Sequence, residues 1–394
     1  MLLFFFFAPA TAHAAEPPAL VAAPQAAPQA DQPDYAKAGR SALKFLVENC
    51  GSPDSEVRLE AAKAFGELGN KSALRLLTRM LKDKNLYVRL EAANSLQLLG
   101  DSRGFKEIAS LVQSSTPTAK PAAPAKAGAR AAHTSTAAVS VGWGPAEELA
   151  AIKRNKVRAA AVERLGVIGG VEAVEVLEKT LNDPSDVVRD ATAIALARLG
   201  FEEFVAPLVA ALKAKDPAVR AAGAKALWQT GLTVGLEELR AVSEDESPEV
   251  RVEAMRALGN FPDPMVLEYL GKGVRDANIK VRATAVEAVG RIPGPRSTQI
   301  LRAAMDDKTY PAVSLRAIEG LARRGETVDL KLVQDAMEQN VPEVQFEAIE
   351  ILKSVKTADA IRLLQPALEQ GEPRVKVRAA AALVKKLQFQ GGRP

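Results

Sequence analysis

Few residues in this chain are of a type that does chemistry, and their spacing narrows the choice further. The 394 residues include 2 His and 1 Cys, with 52 Lys and Arg against 48 Asp and Glu. Both histidines, His13 and His133, fall in segments rich in Ala and Pro, outside the apolar-patterned body. An iron or zinc centre built on imidazole therefore has no ligands in that body. Cys50 has no partner for an intramolecular disulfide, and at an expected helix end it reads as a small buried thiol. Ser41-Ala42-Leu43-Lys44 fits the S-x-x-K spacing of a lysine-activated serine, but the companion triads are missing and the stretch has ordinary helix composition. Gly166-Val167-Ile168-Gly169-Gly170 has the glycine content of a phosphate loop without the preceding strand or the following Lys-Ser/Thr. The residues offer no catalytic set, no cofactor site and no metal site.

What does recur is arginine. A Val-Arg pair followed by an Ala-rich apolar pattern stands at Arg58, Arg89, Arg158, Arg189, Arg220, Arg251 and Arg282, with separations of 31, 69, 31, 31, 31 and 31 residues. Beyond Arg282 the pattern loosens to Ser314-Leu315-Arg316, then Val344-Gln345 with Gln in the Arg place, and returns as Val377-Arg378, which makes ten units. Four residues before the Arg lie Asp54, Asn85, Ser185, Asp216, Ser247 and Asn278, residues whose side chains accept hydrogen bonds from the free N–H groups of a first helical turn. Pro217 and Pro248 follow at the favoured first helical position. Eleven residues after the Arg come Gly69, Gly100, Gly169, Gly200 and Gly231, the left-handed stop just past a helix end, with Pro262 and Pro293 in two other units. Positions −1, +3, +7 and +10, such as Val188, Thr192, Leu196 and Leu199 or Val250, Ala254, Leu258 and Phe261, form one stripe at 100° per residue. A second amphipathic segment, for example Val171 to Leu181, lies between one glycine and the next cap, so each unit is a helical hairpin. A hairpin of that size cannot bury its apolar faces alone. The units must stack, and the expected fold is all-α, an elongated α-solenoid.

These units resemble the short HEAT repeats of the phycobilisome-lyase type, an armadillo/HEAT-type superhelix. The pattern of Asp, Pro, Val-Arg, spaced Ala and closing Leu-Gly is seen in Asp183-Pro184, Val188-Arg189, Ala193 and Leu199-Gly200, and again in Asp216-Pro217, Val219-Arg220 and Ala224. The resemblance implies a right-handed superhelix with the Val-Arg helices on the concave side. It also implies a ladder between units from an Asp six residues before the Arg, a place held by Asp83, Asp183, Asp245 and Asp276 but by Ser52, Ala214, Tyr310 or Gln339 elsewhere. On this reading Arg58, Arg89, Arg158, Arg189, Arg220, Arg251, Arg282, Arg316 and Arg378 are structural, each meeting an Asp and carbonyls of the adjoining unit.

The remaining segments are of another kind. Residues 1 to 14 read as a signal peptide, with the apolar run Leu2 to Ala8, Pro9 and a small-residue cleavage site ending at Ala14, although no Lys or Arg precedes the run. Residues 15 to 33 are an Ala/Pro/Gln-rich tether, and residues 114 to 145 an Ala/Pro-rich basic insert; both are expected to be disordered. Repeats then occupy 34 to 113 and 146 to 390 as one continuous body. Residues 1 to 40 are net −1 and the insert, with Lys120, Lys126 and Arg130 and no acid, is net +3, so of the formal +4 only about +2 belongs to the repeats. That balance argues against a nucleic-acid groove despite the nine arginines.

Related folds that are enzymes need more than is present. Those similar to deoxyhypusine hydroxylase use repeated His-Glu pairs, and this chain has none. DNA glycosylases of this fold need a basic, aromatic groove. Chromophore lyases act on clients that an exported protein does not meet. One position stands apart: eight residues after the Arg, where other units have Gly66, Gln97, Gly166, Ala197, Gly259 or Gly290, the unit of Arg220 has Trp228, with Lys225 beside it and Arg198 and Arg256 on neighbouring helices. Trp and Arg dominate interface hot spots. Trp228 either folds into the gap between units or forms, with Lys225, Arg198 and Arg256, a partner contact; the chain is expected to be an exported, monomeric, non-catalytic scaffold with no cofactor, and the competing expectation is a lyase-like accessory factor that handles a cofactor on a client.

Overall fold

A computed structural model describes residues 35–114, 145–307, 310–339 and 341–390. The signal peptide and the tether lie outside the described residues, as does the insert apart from its two end residues. The chain divides into Met1–Tyr35 and Ala36–Pro394, and the second unit carries the repeats. Ten helices are the Val-Arg elements of the ten units: α2 (Ser55–Leu68), α4 (Leu86–Leu98), α6 (Pro145–Ile168), α8 (Asp186–Arg198), α10 (Pro217–Thr230), α12 (Pro248–Leu258), α14 (Ile279–Arg291), α16 (Pro311–Arg323), α18 (Pro342–Ser354) and α20 (Pro373–Gln390). Ten others precede them in turn: α1 (Tyr35–Asn49), α3 (Leu74–Met80), α5 (Arg103–Gln113), α7 (Val171–Thr180), α9 (Glu202–Ala211), α11 (Leu236–Val242), α13 (Val266–Gly273), α15 (Pro295–Met305), α17 (Lys331–Glu338) and α19 (Ala358–Gln370). No strand occurs among the described residues. The fold is an all-α solenoid of two-helix repeats.

Two layers follow from the packing. Each Val-Arg helix packs on the next Val-Arg helix, whereas the other helices pack mainly on the Val-Arg helices and touch one another little. The Val-Arg helices are thus the inner layer, where the circumference is shorter. The apolar stripe is the core between layers: Val250, Ala254, Leu258 and Phe261 of the α12 unit are all buried, and burying a Val, Leu or Phe side chain is worth about 1.5–3 kcal/mol each. Close approach of inner helices needs small residues. A Cβ added at Gly166 or Gly259 would stand 2.8 Å from the Cβ of Ala195 or Ala288 on the next inner helix.

Local signals set the helix ends. Asp54, Asn85, Asp216 and Asn278 accept from the N–H two residues on, at 2.8–2.9 Å. Ser185 and Ser247 sit at the same place without capping. The Ser247 hydroxyl instead donates to Glu249 at 2.9 Å, so it turns away from the first turn. All five closing glycines have φ between 68° and 92°, a left-handed conformation that costs other residues strain. Two units without that glycine are closed by a cation just beyond the next inner helix or four residues before its end. Arg324 donates to the carbonyls of Val289 and Ile292 behind α14, and Lys386 to those of Lys353 and Val355 behind α18. Burial lowers the pKa of both groups.

The solenoid forms as expected from the repeats, but it is not elongated. The last inner helix, α20, packs on the first, α2, so the row of inner helices closes on itself. The reason is in α20: Val375, Val377 and the whole run Ala379 to Val384 are buried, which covers both of its flanks. An end repeat of an open solenoid needs a polar outer face. This one has an apolar face on each side, and α2 covers the second.

Candidate partner-binding face

The arginine ladder is built into four junctions. Arg58 reaches Asp83 with two bonds of 2.6 and 2.8 Å, Arg220 reaches Asp245 at 2.7 and 2.9 Å, and Arg251 reaches Asp276 at 2.8 and 2.9 Å. Arg158 pairs with Asp183 in the same way. The other arginine nitrogen donates to carbonyls five and six residues earlier in the chain, Ser52 and Pro53 for Arg58, Ala214 and Lys215 for Arg220. Those carbonyls belong to the turn leading into the same helix, not to the adjoining unit as the sequence suggested. Arg158, which has the long helix α6 in place of a turn, takes the carbonyl of Val112 instead. Each Asp also accepts the N–H two residues on, as Asp83 does from Asn85 at 2.8 Å. The bond from Arg58 is the main reason the Asp83 carboxyl lies below its usual pKa. Burial pushes the carboxyls of Asp245 and Asp276 up, and the bonds from Arg220 and Arg251, together with those from the Ser247 and Asn278 N–H groups and the nearby guanidinium charges, more than offset it, leaving both lowered.

The other arginines make different contacts. Arg89 binds Glu107 of α5, Arg189 binds Asp186 and the Asp183 carbonyl, and Arg282 lies over the Tyr310 ring at 4.3 Å while donating to the Asp276 and Ala277 carbonyls. Arg316 and Arg378 are not at the ladder position at all. The helices α16, α18 and α20 begin at Pro311, Pro342 and Pro373, as α10 and α12 begin at Pro217 and Pro248, and that register puts Ser314, Gln345 and Lys376 in the Arg place. Ser314 there donates to the Asp307 carbonyl at 2.7 Å. Arg316 and Arg378, two residues further, turn into the inner surface: Arg316 pairs with Glu347 at 2.6 Å, and Arg378 with Glu60 at 2.6 Å. The 31-residue spacing of Pro-x-Val carried this register, and following the arginine alone missed it.

At the expected contact site, Trp228 is half-buried against the core of the central repeats. The Arg256 guanidinium lies 5.1 Å from the ring centroid and is held by Glu253 at 2.9 Å. The Trp228 carbonyl accepts from Asn260 at 3.0 Å, and Arg198 donates to the Gln229 carbonyl. Lys225 is exposed and makes no hydrogen bond or ion pair among the described residues. The structure thus joins Trp228 to Arg256, ties Arg198 to the adjoining backbone and leaves Lys225 free.

The inner surface from α14 through α20 to α2 is an ion-pair network that sequence reasoning did not single out. Arg316 also stands 3.6 Å from Glu287 and 3.8 Å from Glu319, Lys353 joins Glu350 and Glu67 at 2.9 Å each, and the Arg378 guanidinium stacks on Phe346 at 3.9 Å. Glu319 is 9% exposed, and its burial, with Glu287 and Glu350 near, raises its pKa against the pull of Arg323 and Arg316. Cys50 is buried, its thiol directed at the Leu46 carbonyl, and burial pushes its pKa up to about 12, far from a reactive thiolate. Among the described residues no group of three or more His, Cys, Asp or Glu is placed to hold a metal ion, and no helix is long and apolar enough to cross a membrane.

A solenoid of two-helix units with an Arg-Asp ladder is the architecture of one repeat class. The family model for HEAT repeats matches residues 43–123, 174–244 and 236–322, more than half of the chain, and the chain belongs to that family. The model for the PBS lyase HEAT-like repeat matches residues 157–183. No curated protein matches the sequence. Similar solved structures include an engineered protein, at 20% identity over 88% of this chain and 98% of that one with a TM-score of 0.31. Human deoxyhypusine hydroxylase in complex with glycerol is similar at 19% identity over 73% of this chain and 96% of that one, with a TM-score of 0.30. The complex of CpcE and CpcF of phycocyanin lyase from Nostoc sp. PCC7120 is similar at 18% identity over 64% of this chain and 98% of that one, with a TM-score of 0.34.

Proposed function

We propose that this HEAT-repeat protein is an exported, non-catalytic scaffold that holds a protein or peptide segment on its inner layer, with Trp228 and Arg256 as the anchor. The observation that carries the reading is the Trp228 ring, half-buried at a helix position where other units have Gly, Ala or Gln, with a guanidinium 5.1 Å from its centroid. A large amphipathic ring already fixed by a cation gives contact area at little entropic cost. Lys225, free on the same helix, adds a cation for a carboxylate of the partner. Export rests on the apolar run Leu2 to Ala8 and the small residues up to Ala14.

The test is retention of partners from a cell-envelope fraction on the mature chain and on Trp228→Ala, with mass spectrometry and an absorbance spectrum of the eluate. A defined envelope protein held by the first and lost about tenfold by a folded Trp228→Ala supports the scaffold. A coloured or metal-bearing eluate, or equal retention by both, overturns it. N-terminal sequencing of the exported chain is expected to start at Ala15.

A further inference from the structure

We infer that the junction between α20 and α2 is a salt-sensitive seam at which the closed row of repeats opens, so that a segment without a free end reaches the inner layer. Use for loading rests on the scaffold reading above; the opening itself does not.

Three observations carry it. First, Arg378 and Glu60 are 318 residues apart in sequence. Among the described residues every other pair of neighbouring inner helices is joined through one intervening α-helix, with residues 115–144 also between α4 and α6, whereas nothing covalent ties α20 to α2 except the whole chain. Second, half of the buried apolar residues of α20 are alanines, Ala379 to Ala382, and an alanine removes far less area from water than a leucine or phenylalanine. The seam therefore leans on its polar contacts more than a junction packed with larger side chains does.

Third, those polar contacts are of the screened kind. Arg378 holds Glu60 through bonds of 2.6 and 3.0 Å, and Lys353 holds Glu67 at 2.9 Å. Their side chains are 23% and 12%, and 14% and 32% exposed, against 6% and 7% for Arg158 and Asp183 and 7% and 11% for Arg58 and Asp83, while the ladder pair Arg251 and Asp276, at 17% and 13%, is nearly as open. Exposed pairs are weakened by salt that hardly reaches buried ones. No ladder arginine crosses this junction, because Lys376 stands where an arginine would.

The experiment places spin labels on cysteines at Lys44 of α1 and Arg362 of α19, both largely exposed and on the two sides of the seam in chain order, in a Cys50→Ala background. Label-to-label distances are read by pulsed electron resonance, in samples diluted with unlabelled protein. One short distance is expected at low salt, with a long-distance population that rises about threefold between 50 mM and 1 M NaCl. Arg378→Glu should raise that population at low salt, and Glu60→Arg combined with Arg378→Glu should return it to the starting level. A distribution indifferent both to salt and to Arg378→Glu in a helical, cooperatively unfolding protein overturns the seam. If Arg378→Glu does not fold, the salt series on the unchanged seam and the reciprocal variant decide the matter.

Discussion

Arg158 and Arg378 make nearly the same pair of bonds to a carboxylate and do opposite work. Arg158 is buried, and its guanidinium donates to the Val112 carbonyl, the Asn155 side chain and both oxygens of Asp183. Arg378 lies on the inner surface, stacked on Phe346 and bonded to Glu60 of a helix at the other end of the chain. The first fixes the geometry of one unit on the next. The second closes the row. A shift of two residues along a helix, from the ladder position to the inner face, converts an arginine from a buried strut to a solvent-screened clasp, and the last three units have lost the strut altogether.

The comparison is broken most severely by cutting a strut. Arg158→Ala leaves Asp183 buried without its partner, and the expected loss is about 3–5 kcal/mol in urea unfolding. Next comes the close approach of inner helices: Gly259→Ala puts a methyl group 2.8 Å from Ala288 and is expected to cost about 1–3 kcal/mol in the same assay. Arg378→Ala removes only a clasp. Its expected cost is about 1 kcal/mol at low ionic strength, shrinking toward zero in 1 M salt, whereas the loss in Arg158→Ala should hardly depend on salt.

The smallest effect separates the two regions by sign. Asp83 and Asp276 have lowered pKa values, so they stabilise the fold above the unfolded value, near 4, and that contribution disappears as pH falls through their folded values. Glu319 has a raised pKa, so its charged form costs stability at neutral pH, and the cost vanishes as pH falls below the ordinary carboxyl value. Urea midpoints between pH 3 and 7 should therefore show a flatter acid limb for Asp276→Asn. Glu319→Gln should leave stability unchanged or raise it at pH 7.

The repeats were legible because they are local. A 31-residue period, caps such as Asp216 with Pro217, and glycines such as Gly231 each report a constraint within a few residues, and the ladder partners Asp83, Asp183, Asp245 and Asp276 stand at a fixed offset. The register of the last units was legible in Pro311, Pro342 and Pro373 and was obscured by Arg316 and Arg378, which have the right residue type two positions late. Closure was not legible. The alanines of α20 show that both its flanks are covered but not by what, since the rotation from unit to unit is a sum of small packing angles that no single motif encodes. The contact of Arg256 with the Trp228 ring was visible as a proximity of types; that Arg198 would be tied to the Gln229 carbonyl was not, because a backbone acceptor leaves no mark in sequence.

Hydrogen exchange followed by mass spectrometry, in 50 mM and in 1 M NaCl, tests most directly the claim that one molecule contains a fixed region and a clasped one. The expected result is faster exchange in α20 and α2 at high salt, with α10, α12 and α14 unchanged. Equal salt dependence in both regions, or none in either, would contradict it.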